Sequence, residues 1–145
     1  MSPWKLALAL LVPMAIVSVA SAEVTPPAAP LAMSELAFDV RCRLEDLSQK
    51  KVLSDQVSHL RPRIPAPPIL LRGPQVEAIA EFNHEAAEFL PVRLKLSVVG
   101  STFRKDAYLG PRSFDAGQTV PVVVQGSDSY YNRVLRLSCW VTRVS

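Results

Sequence analysis

Side chains able to do chemistry are few in this sequence, and their spacing gives them little help. His59 and His84 are its two histidines. Neither has partner ligands at the recognisable intervals that a zinc site uses. Glu81, His84, Glu85 and Glu88 lie close in sequence and could form a small acid–imidazole site, but a solvated acidic turn is the plainer reading. No serine sits in a nucleophile elbow, and no glycine-rich phosphate loop occurs. The expectation is a protein that is not an enzyme and uses no metal or cofactor. A small secreted hydrolase built on Glu81, His84 and Glu85 is the rival.

The cysteines point to a location instead. Residues 1–22 read as a signal peptide: Lys5 supplies the positive start, Leu6 to Val19 the short apolar run, and Ala20-Ser21-Ala22 the cleavage pattern. The run is shorter than the roughly 20 apolar residues a bilayer span needs, so no transmembrane span is expected in the mature form. Export to a periplasmic or secreted location favours a disulfide between the only two cysteines, Cys42 and Cys139. Residues 23–34, rich in proline and alanine, read as a flexible leader before a domain at 35–145.

That domain must be built from strands. From Leu36 to Glu45, apolar Leu36, Phe38, Val40, Cys42 and Leu44 alternate with Ala37, Asp39, Arg41, Arg43 and Glu45. Leu135, Leu137, Cys139 and Val141 repeat the pattern near the other end. Alternation at every second residue describes a strand with one wet face, and both cysteines fall on the inward parity. Thirteen prolines, many of them between apolar runs, mark strand starts and edges. With 49% hydrophobic and 20% charged residues, the chain can fold around a core. The fold expected is all-β, an immunoglobulin-like antiparallel sandwich of seven to eight strands.

An internal repeat fits that count. Val40–Leu44 is similar to Val92–Leu96, and Pro67–Gly73 to Val120–Gly126, at offsets of 52 and 53 residues. Two units of four strands would result. Residues 75–90 are ambiguous, since Val76, Ile79, Phe82, Ala86 and Phe89 also suit a helix. The repeat favours a strand over Val76 to His84, then a turn or helical bend up to Pro91.

The outward positions of these strands carry Arg41, Arg43, Arg93, Lys95 and Arg136, with Trp140 on the same parity. If the strands are neighbours, one sheet face presents cations around a tryptophan, a combination enriched at interfaces. The net charge of +3, or +2 without Lys5, is too small for a dedicated nucleic-acid binder. The run from Pro111 to Gly126 resembles part of secretin β-domains, although the chain is shorter than a secretin channel. An exported disulfide-bonded sandwich behind a leader is also similar to chaperone–usher pilins, but the leader lacks their alternating apolar pattern. Neither resemblance carries functional residues across. The expected function is an exported, non-catalytic interaction module of the cell envelope. It would contact an envelope or secreted protein, or an anionic lipid or polymer, through the basic face or a sheet edge. A structural subunit of an extracellular or periplasmic assembly is the alternative.

Overall fold

Between Phe38 and Asp46 the alternation in sequence becomes alternation in space. The computed structural model describes residues 32–144, and in strand β1 (Phe38–Asp46) it buries Phe38, Val40, Cys42 and Leu44 while exposing Asp39 and Arg41. Seven strands follow: β2 (Lys51–Leu60), β3 (Ile69–Gly73), β4 (Val76–Phe82), β5 (Leu90–Val98), β6 (Ser101–Leu109), β7 (Thr119–Asp128) and β8 (Arg133–Arg143). They form two antiparallel four-stranded sheets, in the orders β2-β1-β8-β7 and β3-β4-β5-β6. The expected sandwich is the fold. Its core is apolar and drawn from both sheets, with Val40, Leu44, Leu137 and Val141 from one and Leu71, Ala78, Leu94 and Leu96 from the other.

The strand order follows the chain around the molecule, with β8 closing on β1. The sandwich is therefore an up-and-down meander folded into two layers. Its immunoglobulin likeness is one of two-layer architecture; the described strands have no Greek-key crossing. A meander sends successive connections to opposite ends. Residues 47–50, 74–75, 99–100 and 129–132 make short turns at one end. The longer connections 61–68, 83–89 and 110–118 lie at the other, with the start of β1 and the end of β8. Each short turn contains one residue at positive φ, namely Lys50, Gln75, Gly100 and Asn132, as tight hairpins require.

The repeat is visible in the pairing. Advancing each strand by four converts β2-β1-β8-β7 into β6-β5-β4-β3, which is the second sheet. Registers agree as well: Val40 faces Val141 and Ser58, and its counterpart Val92 faces Phe82 and Ala107. An approximate two-fold axis thus exchanges the layers. It also relates two seams, β2 beside β3 and β6 beside β7, where no ladder forms. Both seams use a glycine. A Cβ on Gly73 would lie 2.9 Å from Leu53 Cδ1, and one on Gly126 would lie 2.2 Å from the Phe103 ring. Leu53 and Phe103 occupy matching places on β2 and β6, so each glycine makes room for the side chain that closes its seam.

Cys42 and Cys139 are fully buried, directly opposed on β1 and β8, and joined in a disulfide with a Cα–Cα separation of 4.1 Å. The first and last strands are tied as expected. Three local boundaries differ from expectation. β1 begins at Phe38, because Leu36 follows a short 3-10 turn (Met33–Glu35). That turn is anchored by the fully buried Met33, whose N–H donates to the Ala87 carbonyl at 3.1 Å, so packing begins inside the last residues read as leader. β4 ends at Phe82 rather than His84, and of the expected turn or helical bend up to Pro91 it is the turn that forms. The signal segment 1–22 and residues 23–31 of the leader lie outside the described residues. No helix among the described residues is long and apolar enough to cross a membrane.

Candidate interaction face

Because β8 pairs with β1, their outward side chains form one surface. Arg41 lies opposite Trp140, Arg43 opposite Ser138 and Glu45 opposite Arg136. Four of the six expected face residues, Arg41, Arg43, Arg136 and Trp140, are therefore brought together on the outer face of β2-β1-β8-β7. Arg93 and Lys95 are not. They sit on β5, in the other sheet, and point to the opposite side of the molecule. A single field shared by all six required β1 and its repeat counterpart to be neighbours, whereas the two-fold places them in different layers.

Charge on this face is paired. Arg41 donates twice to Asp55 of β2, at 3.0 and 2.6 Å, and Arg43 donates to the same carboxylate at 3.3 and 3.2 Å. The bond from Arg41 holds the Asp55 carboxyl down at about 2, against the opposing effect of burial. Arg136 pairs with Glu45 at 2.9 Å, and Asp39 with His59 at 2.5 Å. Arg41, Arg43 and Arg136 are thus matched by Asp39, Glu45 and Asp55, and the face is not a basic field. The opposite face repeats the device, with Asp106 held between Arg93 at 2.9 Å and Arg104 at 2.7 Å. The hydrogen bond from Arg104 leads in lowering the Asp106 carboxyl. Lys95 has no ion-pair partner among the described residues.

Trp140 faces outward as its parity requires, but it is half-buried. The Arg43 guanidinium lies over its ring at 5.7 Å, a cation–π contact. The ring lines a shallow dish with Arg41, Arg43, Val57, Thr119 and Thr142. Val57 is 62% exposed there, and the Thr119 and Thr142 hydroxyls share a hydrogen bond of 2.7 Å. A neutral, charge-patterned dish with an aromatic wall and exposed valine suits contact with a protein surface better than with a polyanion.

His84 is not in a solvated turn. It is 3% exposed, edge-on to the Phe38 ring at 5.8 Å, with neither ring nitrogen in a well-formed hydrogen bond. Burial lowers its pKa, opposed by nearby backbone groups of Leu36 and Arg61. Glu81, Glu85 and Glu88 are exposed, so the residues of the hydrolase reading do not converge on the imidazole. No group of three metal-ligating side chains occurs among the described residues.

One further feature lies outside the residues expected from sequence. The β7–β8 turn, Ser127-Asp128-Ser129-Tyr130-Tyr131-Asn132-Arg133, carries two tyrosines, with Tyr130 72% exposed. A Ser/Tyr/Asn/Arg-rich turn between two strands is a composition found in binding loops, and that signal was available from sequence. Comparison with known proteins gives no match to any family model, curated protein or solved structure.

Proposed function

We propose that this chain is an exported, non-catalytic interaction module of the cell envelope that contacts a protein partner through the outer face of β2-β1-β8-β7. The observation carrying this reading is Trp140, set in an open dish beside exposed Val57 on a face whose charges cancel. Interface cores favour Trp and Arg and are poor in unpaired charge. The Cys42–Cys139 bond is compatible with an oxidising compartment. An anionic lipid or polymer fits less well, because each arginine of this face already has a carboxylate partner.

Site-specific photocrosslinking in the exporting host tests the reading. A crosslinking residue at Val57 should give a discrete protein adduct, and one at exposed Leu70 on the opposite face should not. Trp140→Ala should abolish the adduct, consistent with a loss of about 1–3 kcal/mol at an aromatic anchor. Thermal stability of this variant should fall only slightly, since the ring is outside the core. Equal adducts from both positions, or an adduct indifferent to Trp140→Ala, would sink the proposal.

A further inference from the structure

The end of the sandwich that gathers the short turns carries a second surface, separate from the Trp140 face and independent of it. At its tip the Tyr130 and Tyr131 rings meet edge to face, with centroids 4.8 Å apart. The Arg133 guanidinium lies 5.0 Å from the Tyr131 ring centroid. Neither tyrosine belongs to the core. The turn beneath them is fixed from inside. Asp128, 2% exposed, accepts from the Tyr130 N–H at 3.1 Å, the Tyr131 N–H at 3.3 Å and Arg133 Nε at 2.9 Å. Burial pushes the Asp128 carboxyl up, but Arg133 and the two amides outweigh it, and the net shift is downward. Arg133 also donates to the Gln75 carbonyl at 3.4 Å, tying this turn to the β3–β4 turn. Two aromatic rings on an anchored turn lose little entropy when a partner covers them.

A crevice of about 320 Å³ runs from Tyr131 to the β1–β2 and β3–β4 turns, bordered by Gln49, Lys51 and Gln75. Its lining carries the buried Asp46 carboxylate as well as Lys51 and Arg133, but its solvent-exposed charge is positive. Lys50 and Lys51 are exposed, and neither has an ion-pair partner among the described residues. Two acids of these turns are buried and engaged: Asp46 accepts from the Ser48 and Gln49 amides, and Asp128 holds the tyrosine turn. Arg72 and Glu77, on the flank, pair with each other at 3.5 Å. We infer that this end binds an acidic protein segment. Its carboxylates would meet Lys50 and Lys51, and its apolar side chains would pack on Tyr130 and Tyr131. Unpaired cations beside exposed aromatic rings select negative charge together with apolar surface.

The test uses the mature, oxidised protein labelled with ¹⁵N, and a synthetic peptide of Glu, Asp and Leu with a counterpart in which Lys replaces each acid. The acidic peptide should shift amide resonances of residues 46–51, 74–76 and 128–133, saturably, and bind several-fold more weakly as salt is raised. Lys50→Glu with Lys51→Glu should weaken it at least tenfold. Tyr130→Ala with Tyr131→Ala should do the same, while Trp140→Ala leaves it unchanged. The substituted side chains lie outside the core, and a dispersed amide spectrum checks each fold. Equal binding of the basic peptide, shifts centred on Trp140, or no shift at millimolar peptide would overturn the inference.

Discussion

An imidazole that is 3% exposed, edge-on to a phenyl ring and without a well-formed hydrogen bond, is favoured in its neutral form in the folded protein. Burial places the His84 pKa below its ordinary 6.5, so the unfolded chain takes up this proton before the folded chain does. The sign follows: stability is complete above 6.5 and falls as pH drops through that value, levelling off below the folded pKa. Melting temperature measured from pH 7.5 to 5 should decline in the parent protein, and His84→Leu should flatten this limb. An unchanged slope in His84→Leu would show that another group controls it, with His59→Gln as the control for the exposed histidine. Asp55 acts in a separate, more acidic window. Its carboxyl is held at about 2, so its contribution is present above the ordinary 3.8 and lost as pH falls toward 2. Arg41 is half-exposed beside it, and solvent screening keeps that contribution small.

Among the elements, the seams are where the fold is most specific. Gly126→Ala would drive a methyl into the Phe103 ring and should destabilise the protein by about 1–3 kcal/mol in urea unfolding. Adding Phe103→Leu should recover part of that loss. Gly73→Ala should cost less, because the nearest atom there is the flexible end of Leu53. A Gly126→Ala variant as stable as the parent would remove the seam argument. The seams also explain what could be read from the sequence. β1, β5 and β8 sit inside their sheets and bury every apolar residue of their inward parity, so their alternation was legible, whereas β4, also inside its sheet, carried apolar residues that suited a helix as well. β2 and β6 are edge strands that overhang the opposite layer. Gln56 faces Cys42 across the ladder and Lys105 faces Leu94, both inward by parity, yet both are exposed. With water on both sides, these strands have no alternation to detect. Four of the six candidate face residues were legible for a related reason. The cysteines placed β1 beside β8, and so Arg41 and Arg43 beside Arg136 and Trp140. Nothing in spacing states that a repeat's two copies lie back to back, and this misplaced Arg93 and Lys95.

Over the whole molecule, the first and last of the described strands meet in one ladder. β1 and β8 pair from Phe38↔Arg143 to Asp46↔Leu135, with the disulfide at the middle of that run. The bond closes a loop with a sequence separation of 97, for which chain entropy predicts about 4–5 kcal/mol, with typical measured values of about 2–4. Cys42→Ser with Cys139→Ser should therefore lower the urea midpoint markedly, and reduction of the parent should match it. A loss below about 1 kcal/mol would mean that the β1–β8 ladder alone holds the ends. The two-fold accounts for how the other layer manages without a bridge. At the equivalent position Leu94 faces Ala80, a large residue against a small one in the same space.

The sorting of connections by length gives the molecule a handle and a tip. The first residue of β1 and the last of β8 leave from the same rim, where the Val144 amide still bonds to the Ala37 carbonyl at 2.9 Å. Strands of nine to eleven residues, at about 3.3 Å each, carry the opposite end about 30 Å away. A passenger joined ahead of Met33 or beyond Val144, or a bead coupled at either place, would hang from that rim. Tyr130 and Tyr131 would then be held outward at the full reach of the domain, whichever of these two places carries the attachment.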